Sequence, residues 1–262
     1  MISSLFITRR SIRSRFGLLL ASFLMLLTLT GCGEGRSYSW GWYTVSPTTE
    51  QGRRNLAFLA EGFWSTITVS LVALVISIII GLFIALLGLL KHPIATYTAR
   101  IYIEIFRSIP VLVLLLWAYY GLPISLGIEL DVFSAGVLAL ALCDSAFEAE
   151  VFRAGIQSVP IGQSEAAKSL GMTSSQTMRY IVLPQAISHI LPALGNQFVY
   201  MLKVSSLVSV IGLNELTRRA NELTVIQYRP LEIYTILVFE YLALILVASY
   251  LVRQLEKRMH TT

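Results

Sequence analysis

The sequence is poor in charge and in the side chains that bind metals or form disulfides. Only 13% of its 262 residues are Asp, Glu, Lys or Arg, whereas 55% are hydrophobic and the mean hydropathy is +0.71. Soluble domains carry about 25% charged residues. The three histidines (His92, His189, His260) and two cysteines (Cys32, Cys143) stand far apart, so we expect no metal site and no disulfide. This composition is that of an integral membrane protein.

Two ligand-binding patterns are also missing. No glycine-rich loop ends in Lys-Ser or Lys-Thr, so we do not expect the chain to bind ATP itself. The formal net charge is +5, but the basic residues are scattered and do not alternate with aromatic residues along a stripe. We therefore expect no nucleic-acid partner and interpret the positive charge as a signal of membrane topology.

Long apolar stretches dominate the chain. A membrane-spanning helix needs about 20 mostly apolar residues. Five stretches meet this requirement, at roughly Phe63–Leu90, Ile103–Leu122, Val132–Phe152, Leu191–Leu213 and Ile233–Val252. The sequence thus predicts an all-α integral membrane protein with about five core helices.

The amino-terminal segment, residues 1–32, has a basic start and a short apolar run that ends in Leu-Thr-Gly-Cys32. These are the parts of a secretory signal, and the last four residues also resemble a bacterial lipoprotein cleavage box in which Cys32 is acylated. The alternative is an uncleaved additional helix. Both interpretations place residues 33–60 outside the cytoplasm, as a periplasmic linker.

Basic residues between the apolar stretches predict the orientation, because Lys and Arg are retained on the cytoplasmic side during insertion. If the spans alternate, most basic loops fall on one side, including the loop after Arg153 and the C-terminal tail. We assign that side to the cytoplasm. The segment 214–232 contradicts the pattern, since it carries Arg218, Arg219 and Arg229 but is predicted to lie outside.

The largest predicted cytoplasmic loop, residues 153–190, is polar although its neighbours are apolar. Its first part has the signals of a short helix that begins after Pro160. Glu165 and Lys168 are spaced i,i+3 and can form a pair on this helix. Gly171 suits the left-handed position that follows a helix end. We expect one helix here.

A second short helix is expected directly after the first. Thr173 and Gln176 form a capping-box pattern, and we expect the helix to stop before Pro184. From the residues alone, this helix-turn-helix either connects two spans and packs on its own protein, or it binds a partner. Ala166 and Ala167 favour the second possibility, because small side chains allow a partner to approach the backbone closely.

Six residues of the loop follow a defined spacing: Glu165, Ala166, Ala167, Gly171, Leu183 and Pro184. This pattern resembles the EAA loop in the permease subunits of ATP-binding-cassette (ABC) importers. The segments "AEVFRAGIQSVP", "EIFRSIPVLVLLLWAYYGLP" and "NELTRRAN" add to the resemblance. Together they are similar to the permeases for polar amino acids, of the histidine and glutamine type, from Glu61 to the C-terminus.

The resemblance implies a type I ABC importer transmembrane domain over residues 61–262 and a multi-pass location in the bacterial inner membrane. It also implies that Glu165 to Gly171 inserts into a separate cytoplasmic ATPase subunit, which binds the ATP, so the permease itself is not an enzyme. Further implied partners are a periplasmic or lipid-anchored amino-acid-binding protein and a second permease copy or paralogue. The implied cargo is an amino acid, polar or cationic.

Four of the ionisable residues within the predicted spans are candidates for the translocation path: Asp144, Glu148, Glu150 and Lys203. Charge inside a membrane is costly and usually faces a cavity or a partner. Asp144 and Glu148 share a helix face, and an ion pair between Lys203 and one of the acids is expected. Such a pair is either structural or lies beside the translocation path. In the resembled permeases an acidic residue usually follows the lysine, whereas this chain has Val204 there. Those permeases usually have a neutral residue at the position of Glu148. The additional acid at Glu148 favours a cationic amino acid as cargo.

Two other classes of membrane protein are compatible with this composition. An ion-coupled secondary transporter or channel often has inverted repeats with matching broken helices, and the sequence shows no such symmetry. A membrane enzyme needs a cluster of catalytic or metal-binding side chains, and no His, Cys or Asp cluster is present. The transporter or channel is retained as the alternative.

Overall fold

Apolar helices form most of the computed structural model, which describes residues 38–90 and 92–259. The predicted amino-terminal segment with Cys32 lies outside the described residues. Of residues 1–40 only the last three are described, and there the rings of Tyr38 and Trp40 pack edge to face with centroids 5.3 Å apart. Residues 41–262 form a second compact unit, which contains every helix described below.

Eleven α-helices are present in the described part of the chain: α1 (Glu50–Ala60), α2 (Gly62–Leu89), α3 (Pro93–Ser108), α4 (Val111–Leu116), α5 (Leu122–Leu126), α6 (Val132–Gln157), α7 (Ile161–Ser169), α8 (Ser174–Thr177), α9 (Leu183–Val204), α10 (Leu216–Gln227) and α11 (Pro230–Met259). Wider π turns at Trp117–Gly121 and Met178–Val182 join α4 to α5 and α8 to α9. The 3₁₀ segment Ser205–Ile211 extends α9.

Four helical segments are long and apolar enough to cross a membrane: Glu50–Leu89, Val132–Gln157, Ser174–Ile211 and Pro230–Lys257. The bent pair Pro93–Ser108 and Val111–Leu126 makes a fifth if it is one span. These segments overlap the five predicted stretches. The predicted linker 33–60 contains the helix α1 in its described part.

The centre of the fold is the contact between α2 and α6. Ser77 contacts Asp144, and Gly81, four residues later, contacts Glu148, which is four residues after Asp144. The contacts advance along both helices together, so the two helices run in the same direction. Alanines bury their small side chains around this contact, including Ala73 on α2. Small residues allow membrane helices to pack closely when no hydrophobic force drives them together.

The second predicted span is wrong as a single straight helix. α3 and the segment after it meet at an angle of 96° around Ile109 and Pro110. Ile109 is extended, with φ −84° and ψ 124°. The residue before a proline is excluded from the helical conformation by its clash with the proline ring. The apolar composition therefore predicted the span, and Pro110 breaks it.

The prediction that the second loop helix ends before Pro184 is also wrong. Helical structure continues from Ser174 to Ile211. In a regular α-helix the ring of Pro184 would clash with the carbonyl four residues earlier. The π turn just before it widens the backbone, and the Leu183 amide donates to the carbonyl of Met178, five residues back. Pro184 thus occupies the first turn of α9, where its missing amide is tolerated.

Two of the three arginines that contradicted the topology pattern form ion pairs near the outer end of the bundle. Arg218 pairs with Glu222 at 2.9 Å. Arg219 pairs with Glu61 at 3.0 Å, and its guanidinium lies 4.4 Å from the centre of the Phe58 ring. Because these charges are paired locally, the segment remains compatible with the predicted outer location.

Candidate functional site

The polar loop begins with a helix that projects from the rest of the protein. Within α7 and its end, Ala167 is only 3% exposed, while Leu170 is 84% and Ile161 is 76% exposed. Ala167 therefore packs against its own protein, and the prediction that it lets a partner approach the helix backbone is wrong. Ala166, the other alanine of that prediction, is exposed. No ion pair joins Glu165 to Lys168 in the described structure, and both side chains point to solvent.

The end of α7 has the geometry that the sequence predicts. Gly171 has a left-handed backbone with φ +82°. Its amide donates to the carbonyl of Lys168 at 2.9 Å, and the Met172 amide donates to the carbonyl of Ala167 at 3.1 Å. These two bonds are the Schellman motif, which satisfies the last carbonyls of a helix and normally requires glycine at this position.

The capping box at the start of α8 is confirmed. The Gln176 amide donates to Thr173 Oγ1 at 3.3 Å, and the Thr173 amide donates to Gln176 Oε1 at 2.8 Å. From this cap the chain runs without interruption through Leu183 and Pro184 to Ile211, a helical segment of 38 residues. The projecting loop is thus connected directly to the membrane-embedded part of α9.

The acids of α6 are held within the helix bundle and do not meet Lys203. Asp144 accepts a hydrogen bond from the Ser77 hydroxyl at 2.9 Å and another from the side-chain nitrogen Nε2 of Gln197. Glu148 is fully buried, and neither of its carboxyl oxygens has a hydrogen-bond partner. Glu150 is bound by Arg153 on the next turn at 2.5 Å.

The expected ion pair of Lys203 with one of these acids is therefore wrong: among the described residues, no ion pair of Lys203 is found. Gln197 and Ser77 satisfy Asp144 instead. Neutral hydrogen-bond donors achieve this without taking a second charge out of water, which is the main cost of a buried ion pair.

Lys203 instead lies at a cavity of about 570 Å³ between α9, α10 and α11. Thr217 and Tyr241 contribute hydroxyl groups to its wall, and apolar side chains such as Val238 and Leu242 complete it. Sequence reasoning missed Thr217 and Tyr241, because hydroxyl-bearing residues are common in membrane helices and nothing in their spacing links them to Lys203.

Glu215 lies outside the spanning segments and links α10 to the spanning helix α11 by hydrogen bonds. It caps α10 by accepting from the Arg218 amide at 2.7 Å, and it accepts from the Tyr241 hydroxyl of α11 at 2.8 Å. Burial raises the pKa of this carboxyl above its ordinary value, although these hydrogen bonds act in the opposite direction.

Comparison with known proteins identifies the family. Residues 77–261 match the family described as binding-protein-dependent transport system inner membrane component. The chain belongs to this family. The match includes the projecting loop, the acids of α6 and Lys203. The permease is therefore a multi-pass inner-membrane protein, as the sequence predicts.

Curated relatives match over most of their length. The chain is 38% identical over 205 residues to the probable glutamine ABC transporter permease protein GlnM of Bacillus subtilis (strain 168), covering 78% of this chain and 94% of that protein. It is 35% identical over 205 residues, with the same coverage, to the glutamine transport system permease protein GlnP of Escherichia coli (strain K12). The arginine transport system permease protein ArtQ of B. subtilis is 33% identical over 204 residues, covering 78% of this chain and 93% of that protein.

Solved structures confirm the fold class. The permease is 41% identical to a chain of an amino acid ABC transporter crystallised with histidines; the TM-score is 0.78, and the match covers 84% of this chain and 100% of that chain. An inward-facing MetNI methionine ABC transporter matches with a TM-score of 0.66 at 21% identity, covering 78% of this chain and 97% of that chain. This second likeness concerns the fold alone. The permease thus has the type I ABC importer transmembrane fold.

Proposed function

We propose that this chain is the membrane-spanning subunit of a binding-protein-dependent importer that moves amino acids into the cell. The relatives named for glutamine and arginine transport support a polar or cationic amino acid as cargo. ATP is bound and hydrolysed by a separate subunit, and the permease contributes no catalytic group and needs no cofactor of its own.

The observation that carries this proposal is the exposure of the projecting loop. Leu170 and Ile161 present apolar side chains to solvent on a helix that buries only Ala167. A loop that merely connects two spans gains stability by packing such side chains onto its own protein. Insertion of α7 into an ATPase subunit removes these side chains from water, in agreement with the resemblance of Glu165 to Pro184 to the EAA loop.

Movement of α7 can reach the membrane because only the short turn at Gly171 separates it from a long helical segment. A rigid-body displacement of the ATPase subunits shifts the loop, and the continuous segment from Ser174 to Ile211 carries the shift to Lys203. The π turn before Pro184 is the departure from a regular α-helix that lies nearest to the loop. We propose that bending during transport is concentrated there.

Lys203 is the proposed cargo-binding residue of the translocation path. Its ammonium group suits the carboxylate of an amino acid, and the apolar wall suits its side chain. The hydroxyls of Thr217 and Tyr241 hydrogen-bond to each other, and Tyr241 also donates to Glu215, so they hold this wall in place. Asp144, Glu148 and Glu150 remain proposed members of the path. Contact of Glu148 with cargo requires α2 and α6 to separate, since this carboxyl is fully buried between them.

The proposed assembly contains three kinds of component. Two permease chains, identical or paralogous, place two loops on two ATPase subunits, and a periplasmic or lipid-anchored binding protein delivers the amino acid. The outer helices α1 and α10 are the surface that this binding protein reaches if the predicted orientation is correct.

Co-purification tests the proposal. The chain is expressed with its ATPase, as wild type, as Leu170→Asp and as Tyr228→Asp. Tyr228 is a matched control, because it is equally exposed but lies on the predicted outer side. We expect Leu170→Asp to lose the ATPase and Tyr228→Asp to keep it.

Reconstitution with the ATPase and a binding protein then measures ATP turnover for a panel of amino acids. Stimulation of ATP turnover by one or a few amino acids supports the proposal. Uptake by the chain alone, driven by an ion gradient and without an ATPase, supports the secondary transporter instead and overturns the proposal.

A further inference from the structure

A second cavity, distinct from the one at Lys203, lies between α3 and the end of α6. Its volume is about 350 Å³, and three arginines and two glutamates line it: Arg100, Arg107, Arg153, Glu104 and Glu150. All five belong to the predicted cytoplasmic half of the bundle. Such a concentration of arginine at a membrane helix pair requires an explanation, because charge near the hydrocarbon is costly.

The charges of this cavity do not cancel within the protein. Arg153 is already bound by Glu150 at 2.5 Å and donates to Gln157 at 2.8 Å. Arg100 and Glu104 form no ion pair in the described structure, and the Arg107 guanidinium lies 5.3 Å from the centre of the Phe147 ring. Two arginines therefore face one unpaired glutamate, which leaves one positive charge.

The surface beside the cavity is apolar. Ile94 and Tyr97 are 69% and 65% exposed, and Ile101 and Ile105 continue the same face of α3. These four positions are spaced three and four residues apart, so they form one stripe along the helix. The arginines lie on an adjacent face. A ligand that fills this region must present an anionic group to the cavity and an apolar chain to the stripe.

We propose that this cavity binds the headgroup phosphate of an anionic phospholipid from the inner leaflet, with an acyl chain along the α3 stripe. A phosphodiester carries one negative charge, which matches the charge left over in the cavity. Arginine suits phosphate because its planar guanidinium donates two parallel hydrogen bonds. Basic pockets between helices on the cytoplasmic side are known to bind acidic headgroups.

The bound lipid links two elements that otherwise share few polar contacts. The Tyr102 hydroxyl and the Ser145 hydroxyl, 2.7 Å apart, join α3 to α6. A phosphate held by Arg100 and Arg107 of α3 lies beside Arg153 of α6 in this cavity and attracts it, which adds a second polar connection between the two helices. Because a ligand that binds only the folded state stabilises it, anionic lipid is expected to raise the melting temperature.

Native mass spectrometry of the full chain in mild detergent tests this proposal. The purified protein is titrated with phosphatidylglycerol and, separately, with phosphatidylcholine. We expect phosphatidylglycerol to bind preferentially to wild type. Each arginine near an anionic lipid surface contributes about 1 kcal/mol, and tenfold in affinity corresponds to about 1.4 kcal/mol. The double variant Arg100→Gln with Arg107→Gln is thus expected to bind phosphatidylglycerol about 25-fold more weakly.

Two variants serve as controls. Arg253→Gln removes an exposed arginine of α11 on the same predicted side and is expected to bind phosphatidylglycerol like wild type. The double variant Arg100→Lys with Arg107→Lys keeps the charge and is expected to retain most of the preference. Melting temperatures in phosphatidylcholine show whether each variant is folded before its lipid binding is compared.

Three results overturn the proposal. Equal binding of the two lipids by wild type excludes headgroup selection, and undiminished binding by the folded Gln double variant excludes these arginines. Loss of the phosphatidylglycerol preference on addition of inorganic phosphate or glutamine assigns the cavity to a soluble anion or to cargo.

Discussion

At the scale of single residues, the size of a side chain decides how closely the central helices approach. Gly81 lies against Glu148 and the carbonyl of Ser145. A Cβ atom built on Gly81 comes within 2.5 Å of the Glu148 Cβ and 2.9 Å of that carbonyl oxygen. Glycine is therefore required by the close approach of α2 to α6, not by its backbone conformation.

We expect Gly81→Ala to destabilise the permease by about 1 to 3 kcal/mol, because α2 and α6 must move apart to accept the methyl group. Gly88→Ala is the matched control in the same helix, where the added Cβ meets only the Ala99 Cβ at 3.7 Å. Thermal unfolding in detergent measures both. A melting temperature of Gly81→Ala equal to that of the control contradicts the expected packing.

The buried carboxyl of Glu215 makes the stability of the outer helices pH-dependent. Its pKa is raised in the folded protein, so folding binds protons there. The stabilisation from its protonated form is complete below the ordinary glutamate pKa and is lost as the pH rises through the raised value. We expect the melting temperature of wild type, relative to that of Glu215→Gln, to fall as the pH is increased from about 4 upward. Parallel pH profiles for the two proteins contradict this.

At the scale of elements, local signals predicted the end of α7 and the start of α8 correctly. The Schellman turn at Gly171 and the capping box of Thr173 and Gln176 depend on side chains and backbone within six residues. The same reasoning failed at Pro110 and Pro184. A proline disfavours the regular helix, but the chain bends at Pro110, widens into a π turn before Pro184 and stays α-helical at Pro192. Packing against distant helices decides among these outcomes.

We expect Gly171→Val to leave membrane insertion intact and to uncouple transport from ATP hydrolysis. A β-branched side chain is strained at φ +82°, so the chain that enters α8 is redirected. Gly127→Val is the matched control, because its backbone is also left-handed, with φ +66°, its added Cβ meets no atom within 4 Å, and it lies at the end of α5, outside the projecting loop. The measurements are ATP turnover and amino-acid uptake in proteoliposomes. Normal uptake by Gly171→Val rejects the proposed role of this turn.

At the scale of the whole molecule, the orientation in the membrane rests on the distribution of Lys and Arg. The exception is the segment with Arg218, Arg219 and Arg229, of which Arg218 and Arg219 form ion pairs with Glu222 and Glu61. The projecting helix α7 is assigned to the cytoplasmic end of the bundle, and α1 with α10 is assigned to the outer end.

Cysteine labelling tests this orientation. With Cys32 and Cys143 replaced by Ser, single variants Gly162→Cys and Tyr228→Cys are treated with a membrane-impermeant maleimide. Both positions are exposed. We expect Tyr228→Cys to react in intact spheroplasts and Gly162→Cys to react only after lysis, since α7 is assigned to the cytoplasm. Labelling of Gly162→Cys in intact spheroplasts reverses the topology and the proposed coupling.

Membrane class, the apolar spanning regions, the turns of the projecting loop and the family follow from the order of residues, because hydrophobic length and helix capping act over neighbouring positions. The hydrogen-bond partners of membrane-embedded polar groups do not follow from the order of residues. Asp144 binds Ser77 and Gln197 rather than Lys203, and Lys203 meets Thr217 and Tyr241 around a cavity. These arrangements depend on the rotation and spacing of helices far apart in the chain, and packing of the complete bundle sets both.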